Sequence, residues 1–282
     1  MNDQFKDPRR MSSPTTIAPG RAQTLPAVSP RLVAWFARYL RRYFARNFDA
    51  IRVSGHESLE EIGSGPLVIY ANHPSWWDPI LFLLLSREFF PDRIAYGPMD
   101  ADALEKYRIL ARLGIFGVEQ GSRAGAIRFL NTGEAVLRRP DTALWITAEG
   151  EFTDPRQRPV LLRPGLSHLI RRVGTVTAIP LAVEYTFWNE RLPEVLVGFG
   201  DPVAFSIGDQ KKPTIDITKR LEQGLEAAMD CLEAKASSRD AAAFSTLLLG
   251  RIGVGGIYDS WRRLIASVKG DTFDASHGGG RS

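Results

Sequence analysis

The segment LVIYANHPSWWDPILFLLLSRE, residues 67–88, contains a strand signal, a turn and a helix signal in direct succession. The apolar run Leu67–Ala71 is typical of a strand that is buried on both faces. Asp78 and Pro79 suit the N-cap and the first position of a helix that continues to Glu88. A strand followed by a short turn and a helix is the repeating unit of an α/β fold.

The same alternation continues on both sides of this segment. Runs rich in β-branched and aromatic residues predict strands at Ala50–Val53, Leu67–Ala71, Arg93–Tyr96, Ile115–Val118, Ala143–Thr147, Val176–Tyr185 and Val195–Phe199. Helical periodicity predicts helices at Pro79–Glu88, Asp100–Leu113, Ser122–Arg138, Pro164–Val173 and Thr214–Ala234. We therefore expect a single α/β domain over residues 50–235, with a mostly parallel central sheet flanked by helices. Beyond it, we expect a C-terminal helical extension and tail at residues 236–282, with short helices at Ala241–Leu249 and Ile257–Val268.

Composition excludes several classes of protein. The 282 residues are 44% hydrophobic and 24% charged, which is the balance of a folded globular chain. The net charge of +4 is too small to indicate nucleic-acid binding. The longest apolar run, Ile80–Leu85, is too short to predict a transmembrane helix. The single cysteine, Cys231, excludes an internal disulfide and a multi-cysteine metal site, and it fits a reducing compartment.

The N-terminal region divides into two parts. Residues 1–30 are polar with scattered prolines, and we expect a flexible tail there. Residues 31–48 form a basic amphipathic helical pattern without any acid, in which aromatic and aliphatic residues share one side. Two interpretations stay open: a membrane-associating helix, or a helix that packs on its own domain with its arginines in water. The arginines are Arg31, Arg38, Arg41, Arg42 and Arg46.

His73 and Asp78 are the first candidates for chemistry. They lie five positions apart across the turn between the predicted strand and helix, so the carboxylate can return to the imidazole. An aspartate that accepts from one ring nitrogen leaves the other nitrogen free to take a proton from a hydroxyl group. The alternative is a loop histidine beside a capping aspartate. The chain contains no GxSxG elbow, P-loop, HExxH or strand-linked GxGxxG motif.

The sequence also resembles a known family in four ordered blocks. Asn72–Asp78 resembles the NHxxxxD box of the glycerolipid acyltransferase superfamily, which comprises the lysophosphatidic acid acyltransferases and their relatives. The blocks that follow it resemble the second, third and fourth conserved blocks of this superfamily. They are Gly114–Val118, Trp145–Gly150 and Ala178–Val183, with the basic-Gly step Arg163-Pro164-Gly165 before the last.

The resemblance implies a reaction and a set of site residues. A fatty acyl group would pass from acyl-CoA or acyl carrier protein to a hydroxyl of a lipid acceptor. His73 would be the general base and Asp78 would orient it. Cofactors and metals are not implied, nucleic acid is not an expected partner, and the enzyme would be peripheral at the cytoplasmic side of a membrane surface. The acceptor would be bound by Asn72, Gly114, Phe116, Glu149 and Gly150.

Two departures concern the acceptor's phosphate. Where the family carries phosphate-binding arginines in its second and third blocks, this chain has Gln120 and Phe152. A planar guanidinium binds phosphate through two hydrogen bonds, which neither replacement can do. Nearby arginines could substitute as anion contacts, or they could belong to a solvated basic surface. They are Arg123, Arg156, Arg158 and Arg163.

Three functional hypotheses remain at this point. The first is an acyltransferase for lysophosphatidic acid or a similar lysophospholipid, with rearranged phosphate contacts. The second is the same chemistry on a phosphate-free acceptor, such as a glycolipid, a glycosylated terpenoid or a lyso-aminolipid. The third is a non-catalytic membrane-binding module that has kept the fold, and the presence of both His73 and Asp78 argues against it.

Overall fold

A computed structural model of the chain describes residues 25–60 and 62–250, and the predicted helix Ile257–Val268 lies outside them. In the described part, the strands are β1 Ala50–Ser54, β2 Leu67–Ala71, β3 Ile94–Asp100, β4 Ile115–Val118, β5 Thr142–Thr147, β6 Val176–Thr186, β7 Glu194–Phe199, β8 Val203–Phe205 and β9 Ser245–Leu249. The α-helices are α1 Pro30–Asn47, α2 Asp78–Phe89, α3 Ala101–Lys106, α4 Arg123–Leu137, α5 Gly165–Val173 and α6 Thr214–Ser238.

The strands form one sheet in the order β4-β3-β5-β2-β6-β7-β1-β9, and β8 pairs with the start of β6. From β4 to β6, all neighbouring strands are parallel. β7 is antiparallel to β6 and parallel to β1, and β9 is antiparallel to β1. The predicted mostly parallel α/β sheet is therefore confirmed.

Helices cover both faces of this sheet and bury two apolar clusters. On one face, α1 and α2 contribute Leu40, Phe44 and Leu85, which pack in one cluster with Ile69 of β2. On the other face, α4, α5 and α6 pack against Tyr70 and its neighbours. Since successive side chains of a strand point to opposite faces, β2 supplies residues to both clusters and is buried along its whole length.

The segment 241–249 differs from its prediction. Instead of a helix, it forms a single 3-10 turn at Ala241–Ala243 and then strand β9, which pairs with β1. Without β9, the backbone N–H and C=O groups along the outer edge of β1 would lack strand partners, and β9 supplies them. Leu247 and Leu248 add packing against the α1 side of the sheet. This long-range pairing leaves no trace in the local apolar pattern, which suits a short helix equally well.

The helix signal over 100–113 also divides into α3 and a 3-10 segment, Arg108–Leu113. Within residues 25–60 and 62–250, every helix is too short or too polar to cross a bilayer.

Candidate active site

The candidate site lies where the parallel strands β2 and β5 end side by side. Ala71 and Thr147, the last residues of these strands, are paired in register. His73 follows β2 and Glu149 follows β5, so both come to the same edge of the sheet. β6 pairs with β2 up to Leu181 and then continues past this edge to Thr186. Carboxyl ends of parallel strands are where α/β sheets commonly bind ligands.

His73 and Asp78 form a hydrogen-bonded pair at this edge. His73 Nδ1 lies 2.7 Å from Asp78 Oδ2, and the Asp78 side chain is fully buried. The same oxygen accepts the backbone N–H of Ser75 at 3.1 Å, while Oδ1 accepts the hydroxyl of Tyr185 at 2.8 Å. Asp78 is the first residue of α2 rather than its N-cap, and its carboxylate turns back into the loop. An ionised Asp78 therefore has three donors around it when Nδ1 carries a proton.

Tyr185 is a residue that the sequence did not single out. Burial raises the pKa of Tyr185 well above its usual value, and the charge of Asp78 raises it further. The phenol therefore stays protonated and donates to the carboxylate over the whole physiological range. Its only signal in the sequence is the pair Glu184-Tyr185, which introduces polar groups at the end of an otherwise apolar strand.

The turn after β5 holds the backbone of His73 in place. The Glu149 carboxylate accepts the backbone N–H of His73 at 2.7 Å and the hydroxyl of Thr153 at 2.5 Å. Thr153 also donates its backbone N–H to the His73 carbonyl at 3.1 Å. Glu149 is buried and its carboxylate positions the His73 backbone, while its contact with an acceptor stays a prediction.

Gly150 explains the shape of the same turn. Its φ is +74°, and a Cβ there would lie 2.4 Å from Nε of Arg163. Arg163 lies against this glycine and donates from Nε to the Glu149 carbonyl at 3.3 Å. A glycine is therefore required both by the left-handed backbone and by the close approach of the arginine.

Asn72 joins β2 to β6. It is fully buried, its amide nitrogen donates to the Val183 carbonyl at 3.0 Å, and its oxygen accepts the Val183 N–H at 2.8 Å. The side chain thus extends the pairing of β2 with β6 by one residue. It holds the strand end that carries His73, and its contact with an acceptor stays a prediction.

The second sequence block lies at the edge of the sheet. Phe116 is buried in the core, and Gly114 has φ +100° with room for no Cβ, since one would lie 2.1 Å from the Ala95 carbonyl oxygen. Gly114 precedes β4 and Phe116 lies in it, and β4 is three positions from β2 in the sheet. At the usual strand spacing this is about 14 Å. Gly114 and Phe116 therefore serve a turn and the core, and their acceptor contacts stay predictions.

Three of the four candidate anion-binding arginines are already engaged. Arg156 pairs with the buried carboxylate of Glu184 at 2.5 Å, and burial raises the pKa of Glu184 while Arg156 lowers it. Arg158 donates from Nε to Asp230 of α6 at 2.8 Å. Arg163 bonds the Glu149 carbonyl, as described above. Arg123 lies exposed at the first position of α4.

Phe152, the residue that replaces a family arginine, lies over the candidate base. The ring centroids of Phe152 and His73 are 4.3 Å apart, and 62% of Phe152 is exposed. The side chain therefore forms an open aromatic surface next to the imidazole.

A continuous row of aromatic rings joins α1 to this site. We call it the aromatic ladder: Trp35, Tyr39, Tyr43, Trp77 and Trp76, with neighbouring ring centroids between 4.4 and 6.1 Å apart. The packing of α1 fits the second interpretation in part, and the membrane interpretation stays a prediction. Leu40 and Phe44 are buried against the domain, whereas Trp35 and Tyr39 are 59% and 47% exposed.

A family model covers most of the strands that surround the candidate site. The family model described as Acyltransferase matches residues 50–184, which include β1 to β6 and the His73–Asp78 pair. No curated protein matches the chain significantly. A similar solved structure is that of the 1-acyl-sn-glycerophosphate (LPA) acyltransferase PlsC from Thermotoga maritima. It has 14% identity and a TM-score of 0.47, over 72% of this chain and 80% of that chain. Residues 50–184 are therefore similar to the domain that the Acyltransferase family model describes.

Proposed function

We propose that the chain transfers a fatty acyl group from a thioester, acyl-CoA or acyl carrier protein, to a hydroxyl group of a lipid acceptor. The observation that carries this proposal is the 2.7 Å bond between His73 Nδ1 and Asp78 Oδ2 at the edge where β2 and β5 end. When Nδ1 carries the ring proton and donates a hydrogen bond to the carboxylate, the lone pair of Nε2 is free to act as a base.

The proposed reaction needs no residue that carries the acyl group. His73 Nε2 takes the proton of the acceptor hydroxyl while its oxygen attacks the thioester carbonyl. The tetrahedral intermediate then collapses and the C–S bond breaks. The imidazolium gives its proton to the leaving thiolate, which departs as a thiol. Asp78 stays ionised and stabilises the positive ring between the two steps. The His73 side chain is 17% exposed, so a substrate can reach it.

A transfer assay on the purified full chain tests this reaction. We expect thiol release and an acylated product from at least one lipid acceptor, and a rate lower by about 10²–10⁴-fold in His73→Ala. His168→Ala is the matched control, because His168 is exposed on α5 and should leave the rate unchanged. Parallel arms with acyl-CoA and acyl carrier protein identify the donor.

Two results would contradict the proposal. Full activity in His73→Ala would show that the base is wrongly assigned. The absence of any acylated product across acceptors with and without phosphate would favour the non-catalytic membrane-binding module.

We further propose a peripheral position on the cytoplasmic side of a membrane, where both thioester donors are found. Support comes from the exposed end of the aromatic ladder, since tryptophan and tyrosine rings favour the bilayer interface. Arg31, Arg38, Arg42 and Arg46 are exposed on the same helix, and α1 contains no acidic residue to offset them. Such a charge pattern suits anionic headgroups.

Vesicle sedimentation tests the membrane proposal. Trp35→Ala combined with Tyr39→Ala should reduce binding to anionic vesicles by about tenfold, as expected for loss of two interfacial aromatic side chains. Point substitutions are preferable to removal of α1, because Leu40 and Phe44 belong to the core. The control is Ile207→Ala with Ile215→Ala, which removes two other exposed apolar side chains. Equal binding of both double variants and the parent would refute the proposal.

A further inference from the structure

An exposed aromatic ring lies next to His73. The ring centroid of Phe152 is 4.3 Å from that of the imidazole, and 62% of the residue is exposed. Phe152 lies in the turn that the Glu149 carboxylate and Thr153 fasten to the His73 backbone. The backbone of this turn is therefore held beside the base.

The charge around this turn is negative. Residues 148–155 contain Glu149, Glu151 and Asp154 and no lysine or arginine. Glu151 and Asp154 are exposed, so their charges face any group that approaches. A phosphate next to the reacting hydroxyl would be repelled by these carboxylates, because like charges at short range disfavour binding.

Two of the nearest arginines are paired with acids. Arg156 donates from Nη2 to Glu184, and Arg158 pairs with Asp230 of α6. Arg163 is exposed, and its Nε donates to the Glu149 carbonyl. A phosphate that used Arg158 bidentately would have to displace Asp230, and that exchange carries the cost of an unpaired acid.

We infer that the natural acceptor is a glycolipid whose sugar ring lies on Phe152 and offers one of its hydroxyls to His73. A hexose ring has an apolar face of C–H bonds, which packs on an aromatic ring, and its hydroxyls project from the edge of that face. A ring seated on Phe152 therefore brings a hydroxyl to the neighbouring imidazole without placing any negative charge beside Glu151. This inference rests on the proposed acyl transfer and names its acceptor class.

Matched acceptors separate the classes. The purified full chain is given one acyl-CoA with dodecyl glucoside, monoacylglycerol or lysophosphatidic acid in the same detergent, and kcat/KM is measured for each. We expect kcat/KM for dodecyl glucoside to exceed that for lysophosphatidic acid by about tenfold or more. A difference of this size corresponds to the free energy of one charge-assisted hydrogen bond. Monoacylglycerol should fall between them, because it lacks both the sugar ring and the phosphate.

Phe152→Arg tests the residue itself. It should lower kcat/KM for the glucoside and raise it for lysophosphatidic acid, changing their ratio by about tenfold or more. Ile207→Arg is the matched control: it adds the same charge at an exposed apolar residue beside β8, which pairs with the far end of β6. The control should leave the ratio unchanged.

The outcomes distinguish the inference from the proposed function. A parent protein that prefers lysophosphatidic acid, or a ratio that Phe152→Arg leaves unchanged, would overturn the glycolipid inference while acyl transfer stands. Loss of product from all three acceptors in the parent protein would overturn the proposed function and the acceptor class together.

Discussion

The hydroxyl of Tyr185 donates a 2.8 Å hydrogen bond to Asp78 Oδ1, the carboxylate oxygen that His73 does not use. The two residues are 107 positions apart, and they meet because β6 runs past the end of β2. With Ser75 N–H on the other oxygen, both oxygens of the carboxylate are held. The orientation of His73 is thereby fixed from a second strand as well as from its own turn.

Tyr185→Phe should reduce kcat by about tenfold with little change in KM, because it removes one hydrogen bond to a charged group outside the substrate contacts. Initial rates over a range of acceptor concentrations measure both constants.

Tyr70→Phe is the control for this substitution. The Tyr70 hydroxyl is also buried and donates to the Leu221 carbonyl at 3.1 Å, away from the His73–Asp78 pair. It should lower stability and leave kcat unchanged. An unchanged kcat in Tyr185→Phe would contradict the positioning role.

Asn72→Ala should destabilise the protein by about 2–4 kcal/mol, since it leaves the buried N–H and carbonyl of Val183 unpaired. Urea unfolding followed by circular dichroism measures the change. Asn131→Ala removes a single bond, from Arg172, at a half-buried position and should cost less than about 1 kcal/mol. Similar losses for both variants would contradict the assignment of Asn72 as a clamp between strands.

Gly150→Ala should reduce both stability and acyl transfer, because the new methyl group would displace Arg163 and disturb the turn that holds His73. Gly121→Ala isolates the backbone effect. Gly121 has φ +70° but nothing within 4 Å of its added Cβ, so it should cost only about 1–2 kcal/mol of conformational strain. The double variant Gly150→Ala, Arg163→Ala should recover part of the difference. An equal effect at both glycines would exclude a role for the Arg163 contact.

Asp209 gives a pH-dependent contribution to stability. A hydrogen bond from Lys212, and then the N–H of Ser206, lower the pKa of Asp209 from 3.8 to about 2. Because the folded value is the lower one, the stabilisation is present above about pH 4 and is lost as the pH falls through 2. Asp209→Asn should therefore cost about 1 kcal/mol at pH 6, and less at pH 3. Denaturant unfolding at both pH values checks this, and a constant difference would argue against it.

Much of the fold could be predicted because its signals are local. β2, β4 and α2 lie within one or two residues of the predicted bounds, since apolar runs, caps and prolines act on their immediate neighbours. Strand β9 could not be predicted in this way. Its conformation depends on the edge of β1, almost 200 residues earlier in the chain.

In the candidate site, too, local contacts could be predicted from the sequence and long-range contacts could not. His73 and Asp78 are five residues apart, so a single turn brings them together and the sequence alone suffices to pair them. The partners of Asn72, Glu149 and Arg158 lie on other strands and helices, and the resemblance to a family assigned them to an acceptor or an anion. In the folded chain their polar groups bond to the backbone of Val183 and His73, to Thr153 and to Asp230.

From its residues alone, this chain could be assigned an α/β sheet, a His73–Asp78 pair at a strand end and an unusual Phe152 in place of an arginine. Those features depend on neighbours within a turn or on the identity of one side chain. The packing of β6 beside β2 adds Tyr185 to Asp78, and the turn after β5 places Phe152 over His73. These contacts depend on the order of the strands in the sheet, because that order determines which distant segments meet at one edge.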